Sequence, residues 1–407
     1  MIERGLYHNL WKEESGNKQM IFLSGPRQVG KTTFAKKLAK SYKNNLYFNW
    51  DIISNKKTLI ENPTFFEGIN RVDESRPLVI FDEIHKYKNW KNYLKGIYDQ
   101  FAAEYKFLVS GSGRLDLYQK GSDSLAGRYF YFHLFPLTVA ELSKNRRKFS
   151  EFIKSPLNGF DLNDRASTRQ VWSALLDIGG FPEPFVKGKK SFWTKWSGAY
   201  ARQIIREDIR SISDIKNVDN MEVLFSLLPS KVGSPFSINN IAGDLQVAFD
   251  TVKNWLRLFD IFYLTFRISP WTSKIPRSIL KEKKLYLFNY PEIQNAADRF
   301  ENMVALELSR AIHTWNEYGY GRFALHYLRN KDKQEVDFLI SEQNKPVLLV
   351  ETKLSDDTLA KNLANFQNIL HIPAVQLVQK ENVFKYLKNG QDKALIVTAH
   401  QWLSSLP

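Results

Sequence analysis

One nine-residue segment near the start of this 407-residue chain limits its fold more than any other feature. It follows a short apolar stretch with the character of a strand, and it leads into a stretch with the spacing of a helix. The segment consists of Gly25, Pro26, Arg27, Gln28, Val29, Gly30, Lys31, Thr32 and Thr33. Its glycines let the backbone wrap closely around an anion, so that several N–H groups and the helix N-terminus point at one phosphate. The segment therefore predicts a phosphate-binding loop, in which Lys31 reaches the β- and γ-phosphates of ATP and Thr32 binds Mg²⁺.

A second apolar strand, residues 78–81, ends in the pair Asp82 and Glu83. Acids at the C-terminal end of such a strand lie beside the phosphate loop in a parallel sheet. Asp82 then suits Mg²⁺ bound through water, and Glu83 suits the orientation of an attacking water. The alternative is an acidic pair that is merely solvated at a strand end.

With these two motifs, residues 1–140 resemble the AAA+ ATPases, whose core is a parallel sheet covered by helices. The resemblance implies a sensor residue at the end of a strand, for which Ser110 is the first choice and Ser112 the alternative. It also implies an arginine finger that acts on the ATP of a neighbouring subunit, and hence a homo-oligomer. Arg128 is the candidate finger and Arg114 its rival. Arg128 can equally be a structural arginine that pairs with a carboxylate.

Two further regions precede the C-terminal one. Residues 141–228 are predicted to form a helical lid, and residues 229–294 a winged helix, which is two short helices followed by a hairpin. The second helix of this motif would enter a groove of double-stranded DNA, where Lys253 and Arg257 would contact phosphates. The alternative is a winged helix that only packs against protein.

In the C-terminal region, residues 295–407, acids and a lysine recur on predicted strands. Strand alternation places Glu351 and Lys353 on one face. If Asp337 lies on the adjacent strand, its carboxylate and that of Glu351 converge to hold Mg²⁺, and Lys353 positions or deprotonates a water. Together with Glu301 on the preceding helix, this pattern resembles the PD-(D/E)xK nuclease fold. Such a restriction-endonuclease-like domain can cleave DNA or serve only as a binding module.

From end to end, the chain resembles bacterial and archaeal proteins that join an AAA+ domain of the initiator-like branch to a winged helix and a nuclease-like domain. The sequences FPLTVAEL at 135–142 and GGFPE at 179–183 contribute to this resemblance. The fold class expected is α/β: a P-loop AAA+ parallel sheet, a helical lid, a winged helix and a C-terminal α/β nuclease-like domain. The cofactors implied are ATP and Mg²⁺.

The net charge of +15 favours a polyanionic partner, and double-stranded DNA is the first candidate. The absence of cysteine excludes disulfides and thiol catalysis. No apolar run has the length of a membrane span, so a cytoplasmic protein without a membrane partner is expected. Two functions stay open: an ATPase that acts on DNA, with a metal-dependent nuclease in its last domain, or a nucleotide-dependent sensor whose last domain only recognises a partner.

Overall fold

A computed structural model of the protein describes residues 2–113, 115, 125–143, 145–160, 165–210, 217–235, 237–272 and 282–407. These residues divide into two compact units. The first unit contains Met1–Phe135 and Ile261–Tyr263, and the second contains Pro136–Asp260 and Leu264–Pro407. The finer division into four domains stays a prediction.

The first unit is an α/β domain on a five-stranded sheet. Its strands are β1 (Met20–Ser24), β2 (Asn45–Asn49), β3 (Leu78–Asp82), β4 (Lys106–Ser110) and β5 (Tyr129–His133). Its helices are α1 (Gly5–Glu14), α2 (Lys31–Ala39), α3 (Ile53–Glu61) and α4 (Trp90–Phe101), with 3-10 turns at Phe65–Gly68 and Ile84–Lys86. All neighbouring strands are parallel, in the order β2-β3-β4-β1-β5. The predicted parallel sheet is confirmed.

Aromatic side chains fill much of the core of this unit. All residues of β1 and β3 are buried, and the ring of Phe81 on β3 stacks on Phe107 with centroids 6.1 Å apart. Phe66 meets Phe107 edge-on at 5.8 Å, a geometry that suits the quadrupoles of aromatic rings. Helix α4 buries Trp90, Leu94, Ile97 and Phe101, which recur at helical spacing. This packing fixes the strands, and therefore the polar residues at their carboxyl ends.

The second unit begins with helices. They are α5 (Val139–Leu142), α6 (Phe149–Lys154), α7 (Arg165–Ile178), α8 (Pro182–Lys187), α9 (Lys190–Gln203), α10 (Val218–Leu227), α11 (Ile238–Asp244) and α12 (Phe249–Ile261), with a π-helical turn at Ile204–Ile209 and a 3-10 turn at Leu228–Lys231. The Ser237 side chain caps α11 by accepting the N–H of Asn240, as the sequence indicates. Asp250 lies in the first turn of α12.

The remainder of the second unit is an eight-stranded sheet with its helices. Its strands are β6 (Thr265–Pro270), β7 (Lys284–Leu287), β8 (Phe323–Arg329), β9 (Glu335–Glu342), β10 (Lys345–Lys353), β11 (Ala374–Val378), β12 (Phe384–Asn389) and β13 (Asp392–Thr398). Its helices are α13 (Ala296–Glu317), α14 (Lys361–Leu370) and α15 (Ala399–Leu403), with a 3-10 turn at Tyr290–Glu292. Along the chain, α13, β8 to β10, α14 and β11 give the order helix, three strands, helix and strand. Two strands that pair antiparallel with each other, β12 and β13, follow β11.

The hairpin expected from the winged-helix pattern is also part of this sheet. Strands β6 and β7 are antiparallel, and β6 pairs in parallel with β8 at Ser269 and His326. The strand order is therefore β12-β13-β11-β10-β9-β8-β6-β7. Within the described residues, no helix is both long enough and apolar enough to cross a membrane.

Glu307 on α13 is a carboxyl group buried inside the second unit, with 3% of its surface exposed. Its Oε1 accepts the N–H of Val139, the first residue of α5, at 2.7 Å. Burial raises the pKa of Glu307 to about 8, against the opposing effects of this N–H and of Arg310. In the unfolded chain, the pKa of Glu307 has its ordinary value of 4.5. Between these two pH values the folded state therefore holds a proton that the unfolded state releases.

Replacing Glu307 by Gln should remove this pH dependence. The contribution of Glu307 to the free energy of unfolding is complete below its unfolded pKa and is lost as pH rises through its folded pKa. Because Gln stays neutral, the stability of Glu307→Gln relative to wild type should improve by on the order of a few kcal/mol from about pH 5 to about pH 8. Urea unfolding across that range measures the difference. Glu317→Gln on the same helix is the control, and a Glu307→Gln difference that does not change with pH would contradict the assignment.

Candidate functional site

The phosphate-loop segment joins β1 to α2. Gly25 and Gly30 have positive backbone φ angles of 144° and 100°, which residues other than glycine rarely adopt. The remaining residues differ in exposure: Pro26 and Val29 are buried, Arg27 is half-buried, and Gln28 and Thr33 are exposed. Lys31 is 7% exposed, and its Nζ donates to the carbonyl oxygens of Gly25 at 2.8 Å and Pro26 at 2.7 Å. The ammonium group therefore lies within the loop where phosphates are expected.

The carboxylate of Asp82 is the centre of a hydrogen-bond network at the carboxyl edge of the sheet. Its side chain is fully buried, and strand register places it beside Ser110 on β4. The hydroxyl of Ser110 donates to Oδ1 at 2.6 Å, and that of Thr32 donates to Oδ2 at 2.7 Å. The structure thus brings together one residue from each of the three predicted elements: the loop, the acidic strand end and the sensor strand.

Two residues of β2 belong to this network and were not singled out from the sequence. Tyr47 donates its hydroxyl to Asp82 Oδ2 at 2.6 Å, and the amide of Asn49 lies 3.4 Å from the same oxygen. Burial, then the Asp82 carboxylate, raises the pKa of Tyr47 well above its ordinary value, so the phenol stays a donor. Strand alternation could have indicated both residues, because Tyr47 and Asn49 are two residues apart and therefore share one face of β2.

Glu83 follows β3 with a positive φ of 59°, and its N–H donates to the carbonyl of Ser110 at 2.8 Å. Its carboxylate lies 3.1 Å from the ammonium of Lys86, which also contacts Asp51 at 2.6 Å. The imidazole of His85 is 3.6 Å away. Burial raises the pKa of Glu83, and the charge of Lys86 opposes the rise. The carboxylate therefore has its cationic partner, Lys86, at its own strand end, and Asp51 from the segment after β2 binds the same ammonium.

Arg4, which the sequence did not single out, supports the loop from the N-terminal segment. It is 7% exposed, and its guanidinium donates to the carbonyls of Val29 at 3.1 Å and Phe135 at 2.6 Å. The loop is therefore tied to the chain that follows β5. Nothing in the local sequence around Arg4 indicates these partners.

Arg128, the candidate finger, pairs with Asp99 of α4. Two guanidinium nitrogens contact the two carboxylate oxygens at 2.7 and 3.2 Å, and this ion pair raises the pKa of Arg128. A structural arginine that pairs with a carboxylate was the alternative to the finger, and the structure of the single chain contains this pair. The rival, Arg114, lies outside the described residues.

The predicted C-terminal site residues lie on the adjacent strands β9 and β10. The backbone N–H of Asp337 donates to Glu351 Oε2 at 3.2 Å, and Lys353 Nζ lies 2.6 Å from Glu351 Oε1. Thr352 donates both its N–H and its hydroxyl to Asp337 Oδ2, at 2.9 and 2.6 Å. The two carboxylates are therefore neighbours, and each is already bound by donors of the chain.

Lys284 of β7, which the sequence analysis did not identify, enters the same cluster. Its side chain is 1% exposed, and its Nζ lies 2.6 Å from Glu335, 3.1 Å from Glu301 and 3.9 Å from Asp337. Glu335, at the start of β9, is therefore a partner of this buried lysine. The hydroxyl of Tyr286 donates to Glu301 at 2.7 Å. Here we call Glu301, Glu335, Asp337, Glu351, Lys284 and Lys353 the carboxylate cluster.

Burial dominates the protonation of this cluster. It raises the pKa of Glu301 to about 8 and that of Glu351 to about 7, and the charge of Asp337 adds to both shifts. Burial disfavours the charged form of Lys284, but the nearby carboxylates outweigh it and raise the pKa of that lysine. Within the part of the chain that the structure describes, no group of three or more His, Asp or Glu residues has a geometry that could hold a metal ion.

Comparison with known families finds three matching segments in the chain. Residues 17–143 match the family model described as AAA domain. Residues 169–290 and 298–398 match two models that are each described as a domain of unknown function, DUF8612 and DUF4143. Residues 17–143 of the first unit therefore match an AAA domain, as the phosphate loop and the acidic strand end predicted. The initiator-like branch and the nuclease-like character of the last domain stay predictions.

Relatives occur in archaea and bacteria. An uncharacterised protein of Methanocaldococcus jannaschii is 27% identical over 301 residues, which are 68% of this chain and 62% of that protein. The chain therefore spans somewhat less than two thirds of that relative. An uncharacterised protein of Mycobacterium tuberculosis is 21% identical over 352 residues, which are 84% of this chain and 72% of that protein. Among solved structures, a Walker-type ATPase of Pyrococcus abyssi aligns with a TM-score of 0.44 at 13% identity, covering 74% of this chain and 96% of its own.

The phosphate loop depends on Gly25, and Gly25→Ala should destabilise the first unit. A Cβ atom there would lie 2.3 Å from the carbonyl oxygen of Leu134, which is backbone and cannot rotate away. We expect a loss of about 2–5 kcal/mol in the free energy of unfolding, from backbone strain and overpacking together. Gly127→Ala is the matched control, because Gly127 has a φ of 77° but open space around its Cβ position. Equal losses in the two variants would show that the close approach to Leu134 is unimportant.

Proposed function

We propose that the protein binds ATP with Mg²⁺ in its first unit and hydrolyses it. The observation that supports this most strongly is the convergence of Lys31, Thr32, Asp82 and Ser110 at the carboxyl edge of one parallel sheet. The hydroxyls of Thr32 and Ser110 lie within 2.7 Å of the two oxygens of Asp82. A loop that offers backbone N–H groups and an ammonium on one side, and a carboxylate on the other, suits a nucleotide phosphate and its cation.

Each residue has a distinct task in this reaction. Lys31 would exchange the carbonyls of Gly25 and Pro26 for phosphate oxygens, and Thr32 and Asp82 would hold the cation. Mg²⁺, when bound, offsets the charge that develops on the β- and γ-phosphates. Glu83 accepts a hydrogen bond from the attacking water and orients it. Lys86 must loosen its ion pair with Glu83 for this step, since that pair holds the carboxylate at 3.1 Å.

Two variants separate binding from hydrolysis. Lys31→Ala should weaken ATP binding roughly 10- to 100-fold, because a hydrogen bond to a charged group contributes about 1.5–3 kcal/mol. Glu83→Gln should bind ATP as wild type does but turn it over about 100-fold or more slowly, since a neutral amide accepts a hydrogen bond from the attacking water more weakly than a carboxylate. Nucleotide binding by calorimetry and phosphate release measure the two steps.

Lys40→Ala is the control for the lysine variant, because Lys40 is an exposed residue directly after the same helix. Glu83→Gln turning over ATP at the wild-type rate would remove the water-orienting role. Lys31→Ala binding ATP like Lys40→Ala would remove the loop from the nucleotide site.

We also propose a homo-oligomer in which Arg128 acts on the ATP of a neighbouring subunit. For this role the guanidinium must leave Asp99 and meet a phosphate, which is an exchange between two anionic partners. The pair is partly accessible, with 27% of the Arg128 side chain and 48% of the Asp99 side chain exposed. Its position beside the strand β5 is the one at which the AAA+ resemblance implies the finger.

Double-stranded DNA is the partner that we propose for the second unit. Helix α12 exposes Lys253 and Arg257 one turn apart, whereas Trp255 and Leu256 on the same helix are buried. A basic face on the second helix of a helix-turn-helix arrangement suits phosphate contacts along a groove. The net charge of +15 favours the same partner.

The double variant Lys253→Ala/Arg257→Ala should weaken DNA binding and lower its salt dependence. Each lost phosphate contact reduces the slope of log K against log salt by about one, so the pair should reduce it by about two. Fluorescence anisotropy with duplex DNA at several salt concentrations measures both. Lys388→Ala/Lys393→Ala is charge-matched, since these exposed residues are cross-strand neighbours on β12 and β13. Equal slopes in the two double variants would exclude α12 as the DNA contact.

A nucleotide-dependent sensor, in which the last domain only recognises a partner, is the second candidate. The observation that favours it is Lys284, whose ammonium lies 3.1 Å from Glu301 and 3.9 Å from Asp337, and Asp337 is one of the two acids that the sequence assigns to Mg²⁺. ATP turnover that does not respond to duplex DNA would support this candidate over a DNA-processing enzyme.

A further inference from the structure

The carboxylates of Asp337 and Glu351 are already hydrogen-bonded by donors of their own chain. Both oxygens of Glu351 have partners, the ammonium of Lys353 and the N–H of Asp337. Asp337 Oδ2 accepts two hydrogen bonds from Thr352. A divalent cation needs several of these same oxygens as ligands, so it would compete with these donors.

Lys284 supplies a positive charge at the centre of the cluster. Its Nζ lies within 3.1 Å of both Glu301 and Glu335, and 3.9 Å from Asp337. An ammonium group and a metal ion compete for the same oxygens, and two cations at one place repel strongly in a dry environment. The side chain is 1% exposed, so no bulk water would screen that repulsion.

The hairpin strand that carries Lys284 is anchored on α13 and is not a mobile arm. The side chain of Asn302 pairs with the backbone of Leu287 in both directions, accepting from its N–H at 2.7 Å and donating to its carbonyl at 2.8 Å. Tyr286 is bound to Glu301, and Pro235 forms a bridge with Lys284 on its other side. The backbone of Lys284 is therefore fixed in the sheet, and its ammonium is held by the ion pairs with Glu335 and Glu301.

We infer that Lys284 is the resident cation of the carboxylate cluster and lies beside Asp337, one of the two acids that the sequence assigns to Mg²⁺. The acids do not fit a catalytic metal while Lys284 is present. The last domain then has no metal-dependent cleavage, and the cluster joins the hairpin to α13 and β9 through buried ion pairs. This inference concerns only the second unit and does not depend on ATP hydrolysis by the first.

Thermal unfolding of the full chain, without nucleotide, tests the inference. The melting temperature of wild type should be the same in EDTA and in about 1 mM Mn²⁺. The exception is a shift that Mn²⁺ also causes in the variant Asp337→Asn, because such a shift comes from another site. Lys284→Ala should melt roughly 5 °C or more lower in EDTA, because it leaves buried carboxylates unpaired. Mn²⁺ should restore part of that loss, because the space and the acids then suit a hydrated cation. Lys284→Met removes the charge but fills the space, so it should be destabilised without recovery.

The Asp337→Asn variant makes the test decisive even if Lys284→Ala does not fold. A Mn²⁺-induced rise in the wild-type melting temperature that disappears in Asp337→Asn would overturn the inference, since it places a metal beside Lys284. A rise that persists in Asp337→Asn belongs to another site, such as Asp82, and supports the inference. Mn²⁺-dependent DNA cleavage by wild type that is lost in Lys353→Ala would also overturn it.

Discussion

A charge inside a protein must be paired or hydrogen-bonded, because burial removes the water that stabilises it. Two buried lysines meet this requirement in different ways, and the two sites of the chain differ for that reason. Lys31 donates to neutral carbonyls of its own loop, and its positive charge opposes the rise in the pKa of Glu83. Lys284 lies among three carboxylates, which cancel its charge. An incoming phosphate gains a strong partner at the first lysine, whereas an incoming cation meets an occupied place at the second.

The core of the nucleotide site could be predicted because its signal is local. The loop from Gly25 to Thr33 and the acids after β3 are each contained in a few consecutive residues, and their relation follows from the parallel sheet. Tyr47 and Arg4 carry no such local signal. Tyr47 reaches Asp82 across 35 residues through the register of two strands, and Arg4 reaches Phe135 across 131. Sequence alone gives the strands but not which hydroxyl meets which carboxylate.

The carboxylate cluster could be predicted only in part, for a topological reason. Asp337 and Glu351 lie side by side because β9 and β10 are a local antiparallel pair. Lys284 lies on a hairpin strand that the winged-helix pattern assigns to a separate region. Only the parallel pairing of β6 with β8 extends the sheet to that hairpin. Such pairing between strands distant in sequence has no signature in alternation or turn residues, so the cation of the cluster could not be foreseen.

The two aspartates at the centres of these sites receive similar hydrogen bonds and yet suit different partners. Asp82 accepts from the hydroxyls of Thr32 and Ser110, and Asp337 accepts from the hydroxyl of Thr352. Neutral hydroxyls orient a carboxylate without offsetting its charge, so Asp82 keeps its attraction for a cation. Asp337 shares the charge of Lys284, at 3.9 Å, and a buried ammonium reduces its attraction for a second cation. The difference between a cation-binding acid and a structural acid therefore lies in the charge of the neighbours and not in the motif that contains the acid.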